Sequence, residues 1–188
     1  MRILIADDDP IIRLDLRQML ESIGYEVTAE AEDGQQAIEL ANEHTPDVCL
    51  MDVKMPVMDG IDAAEQICGN GLAPVVLLTA YSDQELIQRA SAAGVFGYLV
   101  KPFKPSDLAP AIEVARGRFE QNKKLIDELD DVNERLEVRK VIERAKGILM
   151  TLHKLDETEA YRRIQQQSMN ARKTMKEVAE AIILTNNL

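Results

Sequence analysis

Val48-Cys49-Leu50-Met51-Asp52 is a run of four apolar residues that stops on a carboxylate. So short and unbroken a run reads as a strand buried on both faces of a parallel sheet. The same form recurs along the chain. Ile3-Leu4-Ile5-Ala6 precedes Asp7-Asp8, Val75-Val76-Leu77-Leu78 precedes Thr79, and Tyr98-Leu99-Val100 precedes Lys101-Pro102. A helical pattern follows each run, so the first hundred residues predict an α/β domain with a doubly wound parallel sheet. Ligands of such sheets gather at the carboxyl ends of the strands. Asp7, Asp8, Asp52, Thr79 and Lys101 are therefore expected to converge on one site.

Three carboxylates held close together need a countercharge, and a hard divalent cation such as Mg²⁺ supplies one. Mg²⁺ keeps waters and bridges carboxylates to phosphate oxygens, so the group suits phosphoryl chemistry. A carboxylate can serve as the nucleophile, and a lysine and a hydroxyl can hold the remaining phosphate oxygens. Acidic residues also cap helices that follow strands, and Asp9-Pro10 has the form of a helix start. Capping alone does not account for all five polar positions falling at strand ends.

Residues 1 to about 115 resemble the receiver domain of bacterial two-component response regulators. The segments that carry the resemblance are Leu4–Pro10, Leu50–Gly60 (with Asp52, Lys54, Met55-Pro56 and Asp59-Gly60), Leu78-Thr79-Ala80-Tyr81, and Gly94–Phe103. The resemblance implies a flavodoxin-like fold, a doubly wound five-stranded parallel sheet, in which Asp52 accepts a phosphoryl group from a sensor histidine kinase. It implies that Asp7, Asp8, Asp52 and the main-chain carbonyl of Lys54 hold Mg²⁺. Thr79 would contact the phosphoryl group, Lys101 would pair with it, and Tyr98 would be the aromatic that reorients when Thr79 moves. Lys101-Pro102 would carry a cis peptide, which only an X-Pro bond adopts cheaply.

At 188 residues the chain suits one domain of ordinary size and a smaller second one. No apolar run is long enough to span a membrane, and Met1 leads directly into a strand, so neither a signal peptide nor a membrane partner is expected. Cys49 and Cys68 show no paired pattern, which points to a reducing cytoplasm and to packing roles. The net charge of −11 is unevenly spread. Residues 139–188 carry ten Lys/Arg against six Asp/Glu, a local +4 that leaves −15 for the remainder. A basic module tethered to an acidic one points toward a polyanion, although ten basic residues can also merely solvate helix faces.

Between these parts, Leu125, Leu129, Val132 and Leu136 are spaced four, three and four apart, the seam of a coiled coil. Charges of both signs flank it. We expect three regions: 1–116, the phosphoacceptor domain; 117–138, a helical coiled-coil linker that pairs two copies; and 139–188, a three-helix bundle. In that bundle Val141, Ile142, Ala145, Ile148, Leu149 and Leu152 mark the inward face of the first helix. Asp156 with Glu159 and Thr174 with Glu177 are capping-box patterns that open the second and third helices. Their inward faces are Ala160, Tyr161, Ile164 and Ser168, and then Met175, Val178, Ala179, Ile182 and Ile183. Candidate contacts to a polyanion are Arg139, Lys140, Arg144 and Lys146 on the first helix and Arg162 and Arg163 on the second. Arg172, Lys173 and Lys176 surround the start of the third, where the helix dipole favours phosphate. Gly147 costs its helix about 1 kcal/mol relative to alanine, which marks it as a place of close backbone approach to a partner. Charge and periodicity leave RNA and DNA unseparated, and a DNA-binding regulator or a protein-binding adaptor uses the same features.

The Arg139–Met150 stretch, with Glu157–Tyr161, Ser168-Met169-Asn170 and Glu177–Ile183, resembles the ANTAR module, an RNA-binding antitermination output domain. Within that class the nearest likeness is to regulators of ethanolamine utilisation. Lys154 stands where a glycine is frequent, and Gln165 where a basic residue often stands. The resemblance implies binding of paired hairpins in nascent mRNA, which keeps a terminator stem from forming. The expected protein is a phosphorylation-dependent antiterminator, a homodimer on activation, and not an enzyme.

Overall fold

The structure is a computed structural model, and it describes residues 1–80 and 84–186. Tyr81, which closes one of the segments quoted above, lies outside the described residues. The chain divides into two compact units, Met1–Lys124 and Leu125–Leu188.

The first unit alternates strand and helix: β1 (Arg2–Ala6), α1 (Pro10–Ser22), β2 (Glu26–Ala31), α2 (Gly34–His44), β3 (Val48–Asp52), α3 (Gly60–Gly69), β4 (Val75–Thr79), α4 (Gln84–Ala92), β5 (Gly97–Val100) and the first part of α5 (Pro105–His153). The strands form one parallel sheet in the order β2-β1-β3-β4-β5. Side chains alternate across it, as the two-residue period requires. Ile3, Ile5, Val48, Leu50, Val76 and Leu78 pack with Leu16 and Leu20 of α1 and with Leu108, Ile112 and Ala115 of α5. Leu4, Ala6, Cys49, Met51, Val75 and Leu77 pack on the other face, with Ala37 and Ala41 of α2 and Ile61, Ala64 and Ile67 of α3. Because both faces are covered, the central strands β1, β3 and β4 carry continuous apolar runs. The edge strand β2 instead interleaves Glu26, Thr28 and Glu30 with Val27, Ala29 and Ala31. The strand order reverses direction between β1 and β3, and a crevice at the carboxyl ends of those strands is the ligand site such a sheet provides.

The second unit takes the remainder of α5, then α6 (Glu157–Ala171) and α7 (Met175–Thr185). The connector and the first helix of the bundle are thus one helix. That helix begins at Pro105, so Pro110 lies beyond its first turn. Ala145, Leu149, Ala160, Ile164, Val178 and Ala179 form the core, flanked by Val141, Ile142, Leu155, Met175, Ile182 and Ile183. Two expected core residues are exposed instead, Leu152 and Tyr161. Leu152 lies in the last turn of α5. Tyr161 follows Ala160 and so points about 100° away from the Ala160–Ile164 face. Both capping boxes are formed: Asp156 and Glu159 exchange side-chain to backbone bonds, as do Thr174 and Glu177. The turns that close α5 and α6 place Lys154 (φ 55°) and Arg172 (φ 52°) in the left-handed region.

Candidate phosphoacceptor site and helical unit

Asp7 follows β1, Asp52 ends β3, Thr79 ends β4 and Lys101 follows β5. The sheet register therefore brings residues far apart in sequence to one edge. The Lys101 ammonium donates to Asp7 Oδ2 at 2.7 Å and to Asp52 Oδ1 at 2.5 Å. Asp7 is 1% exposed, and the side chains of Asp52 and Lys101 are 12% and 21% exposed. The second oxygen of each carboxylate is also bonded. Asp7 Oδ1 accepts from the Asp9 N–H at 3.0 Å, and Asp52 Oδ2 from the Lys54 N–H at 2.8 Å. The Lys101 N–H donates to the Thr79 carbonyl at 2.7 Å, which ties the ends of β4 and β5 together. Thr79 is buried beside the group. The Lys101–Pro102 peptide is cis.

Burial, the largest influence, pushes the Asp52 carboxyl above its ordinary value, and the bonds from Lys101 and Lys54 oppose it. For Lys101 burial is again the largest influence and favours the neutral amine, but the bonds to Asp52 and Asp7 outweigh it and raise its pKa. The ammonium is thus held charged between two carboxylates, as opposite charges in a shielded place require.

Asp8 and Tyr98 stand apart from this trio. Asp8 is exposed and forms no hydrogen bond among the described residues. Tyr98 is 53% exposed on β5. Two residues escaped sequence reasoning. Arg13 donates to the Asp7 carbonyl at 2.5 Å. Gly60 donates its N–H to the Val53 carbonyl at 2.9 Å, and a Cβ there would fall 1.9 Å from the Asp52 carbonyl oxygen. The Asp59-Gly60 pair was the only signal of the second, and it says nothing of the contact.

Among the described residues, no group of three or more His, Cys, Asp or Glu side chains is arranged as a metal cage. Mg²⁺ is ordinarily held by one or two carboxylates with waters and phosphate oxygens. Asp7 and Asp52 supply that donor set, so the pair fits the ion without forming a closed site. The thiols fit packing roles: burial raises Cys49, and pushes Cys68 to about 11.

In the second unit the expected contact residues are spread over three helices. Arg139, Lys140 and Arg144 are exposed on α5, Arg162 and Arg163 on α6, and Arg172 and Lys173 in the turn that follows, while Lys176 is half-buried on α7. Lys140 pairs with Glu137 at 2.7 Å. Gly147 is exposed, and a Cβ there would meet nothing. With Arg144, Ile148, Thr151, Leu152, Thr185 and Asn186 it lines a groove of about 640 Å³. Lys146 departs from the expectation. It is 6% exposed, and its ammonium bonds Glu143 at 2.9 Å and Glu157 at 2.7 Å. Those bonds raise its pKa, and they pin the start of α6 to α5.

Two family models match the chain, the response regulator receiver domain over residues 3–113 and the ANTAR domain over residues 130–183. The chain belongs to the response-regulator family. Transcriptional regulatory protein PdtaR of Mycobacterium tuberculosis is 52% identical over 184 residues, which are 98% of this chain and 90% of that protein. Its name speaks of transcriptional regulation and not of ethanolamine. Chemotaxis protein CheY of Bacillus subtilis is 40% identical over 112 residues, 59% of this response regulator and 93% of CheY. A crystal structure of the CheX-CheY-BeF3-Mg²⁺ complex from Borrelia burgdorferi superposes with a TM-score of 0.55 at 25% identity, covering 60% of this chain and 86% of that one. A receiver joined to an ANTAR domain supports a regulator that acts on RNA. No helix among the described residues is long and apolar enough to cross a membrane.

Proposed function

We propose that this response regulator is a phosphorylation-controlled antiterminator that binds hairpins in nascent mRNA. The observation that carries the reading is the bonded trio of Asp7, Asp52 and Lys101, in a chain whose second matched domain is ANTAR. Asp52 is the phosphoacceptor. One of its oxygens attacks the phosphorus of a phosphohistidine on a sensor kinase; the O–P bond forms, the P–N bond breaks, and the imidazole leaves with the electron pair. Bound Mg²⁺, held by Asp7, Asp8, Asp52 and the Lys54 carbonyl, would offset the charge on the phosphoryl oxygens. Lys101 releases Asp52 Oδ1 and pairs with a phosphoryl oxygen instead. The Thr79 hydroxyl donates to another, and Tyr98 follows it inward from its exposed position.

The rearranged receiver favours a homodimer through Leu125, Leu129, Val132 and Leu136, all exposed on α5. Two ANTAR domains then engage two hairpins with the gain of effective concentration. Arg139, Lys140, Arg144, Arg162, Arg163, Arg172, Lys173 and Lys176 are assigned to phosphates, with Gly147 where the backbone is approached. We assign Lys146 to holding α5 against α6, because its charge is already met by two carboxylates. The domain limits are proposed as 1–116, 117–138 and 139–188, and the location as the cytoplasm.

A gel-shift comparison tests this reading. Protein treated with acetyl phosphate is expected to bind a two-hairpin RNA more tightly than untreated protein or Asp52→Ala, and more tightly than it binds duplex DNA. Equal binding by Asp52→Ala would remove the switch, and a preference for duplex DNA would remove the antiterminator.

A further inference from the structure

Arg163, Gln166, Gln167 and Asn170 lie three or four residues apart, on one face of α6. With Ala171 they line an open groove of about 470 Å³. The three carboxamides are exposed and form no side-chain hydrogen bond among the described residues. Residues 160–176 hold five cations, Arg162, Arg163, Arg172, Lys173 and Lys176, and not one carboxylate, in a chain whose net charge is −11. Contacts from such cations to phosphates hold the backbone but carry no sequence information. A carboxamide presents a donor beside an acceptor, the arrangement that pairs with a base edge through two bonds. Sequence-specific RNA recognition is directed at unpaired loop bases, whose edges are open to such side chains.

We propose that this face of α6 reads unpaired bases of an RNA hairpin loop. Gln166, Gln167 and Asn170 bond the base edges, and Arg163, Arg172 and Lys173 hold the flanking phosphates. The proposal rests on the RNA-binding reading above and adds to it the residues that choose the sequence.

The test uses the full chain, treated with acetyl phosphate, and a pool of hairpins that share one stem and differ in a randomised loop. Bound molecules are recovered and sequenced. Wild-type protein is expected to enrich particular bases at particular loop positions about tenfold over the pool. The triple variant Gln166→Ala, Gln167→Ala, Asn170→Ala is expected to lose the enrichment while the slope of log affinity against log salt stays unchanged. Alanine is a better helix former than either amide, and circular dichroism checks that α6 persists. Arg172→Ala is expected to do the reverse: it keeps the enrichment, loses affinity and lowers the salt slope by about 1. Enrichment that survives the triple substitution overturns the proposal. So does wild-type binding without any enrichment, which leaves the RNA-binding reading standing. Capture of no hairpin at all overturns both.

Discussion

Lys101 lies between Asp7 and Asp52, and its charge makes their closeness tolerable. Removing it leaves two shielded carboxylates facing each other without a countercharge. Lys101→Met is expected to lower stability by about 1–3 kcal/mol, the usual cost of orphaning a buried polar group. Asp52→Asn in the same chain is expected to restore part of the loss, because only one carboxylate remains. Urea denaturation of the two single variants and the double variant checks this, and strictly additive losses would show that the trio is not coupled. Gly60 belongs to the same scale. Its missing Cβ leaves room for the Asp52 carbonyl, so the turn after β3 fixes where Asp52 stands.

Four of the five strands were legible because burial in the sheet imposes an unbroken apolar run, and because each site residue ends or follows such a run. The edge strand β2 mixes Glu26, Thr28 and Glu30 into its run and left no such mark. The helix starts of the second unit were legible for a similar local reason: a capping box is written in four consecutive residues. Thr174→Ala is expected to cost about 1 kcal/mol. The same cap carries a pH signature. The Thr174 N–H, and then its hydroxyl, hold the Glu177 carboxyl below the ordinary glutamate value of 4.5. A group lowered in the folded state adds stability above its unfolded pKa, and that stability is lost as pH falls through the folded value. The difference in melting temperature between wild type and Glu177→Gln is therefore expected to be widest above pH 4.5 and to close below it. A difference independent of pH would remove the ionic part of the cap. What stayed illegible required tertiary knowledge. Lys146 reads as one more cation until Glu157, across a turn, is found against it. Leu152 fits the apolar period of α5, but period alone does not show where the packed face ends.

At the scale of the whole molecule, a helix that begins in the first unit continues into the second. Along its middle, Leu125, Ile126, Leu129, Val132 and Leu136 are all exposed. Leu129→Lys is expected to keep the protein monomeric after acetyl phosphate treatment, whereas wild type shifts toward a dimer in analytical ultracentrifugation. If the variant dimerises as readily as wild type, the pairing surface lies elsewhere. The acidic first unit and the basic 139–188 stretch were visible in the sequence as a charge split. The exposure of Tyr98 and of the seam residues was not, because periodicity alone does not tell an uncovered face from a packed one.

The turn after α6 holds a long cationic side chain where the backbone favours a residue with none. For an L residue the left-handed conformation of Arg172 costs about 1 kcal/mol or more, and glycine avoids it. Arg172→Gly is therefore expected to raise the melting temperature of the second unit while weakening its grip on RNA. With that outcome Arg172 joins the positions where durability is traded for a ligand, and selection for heat resistance alone would work against it.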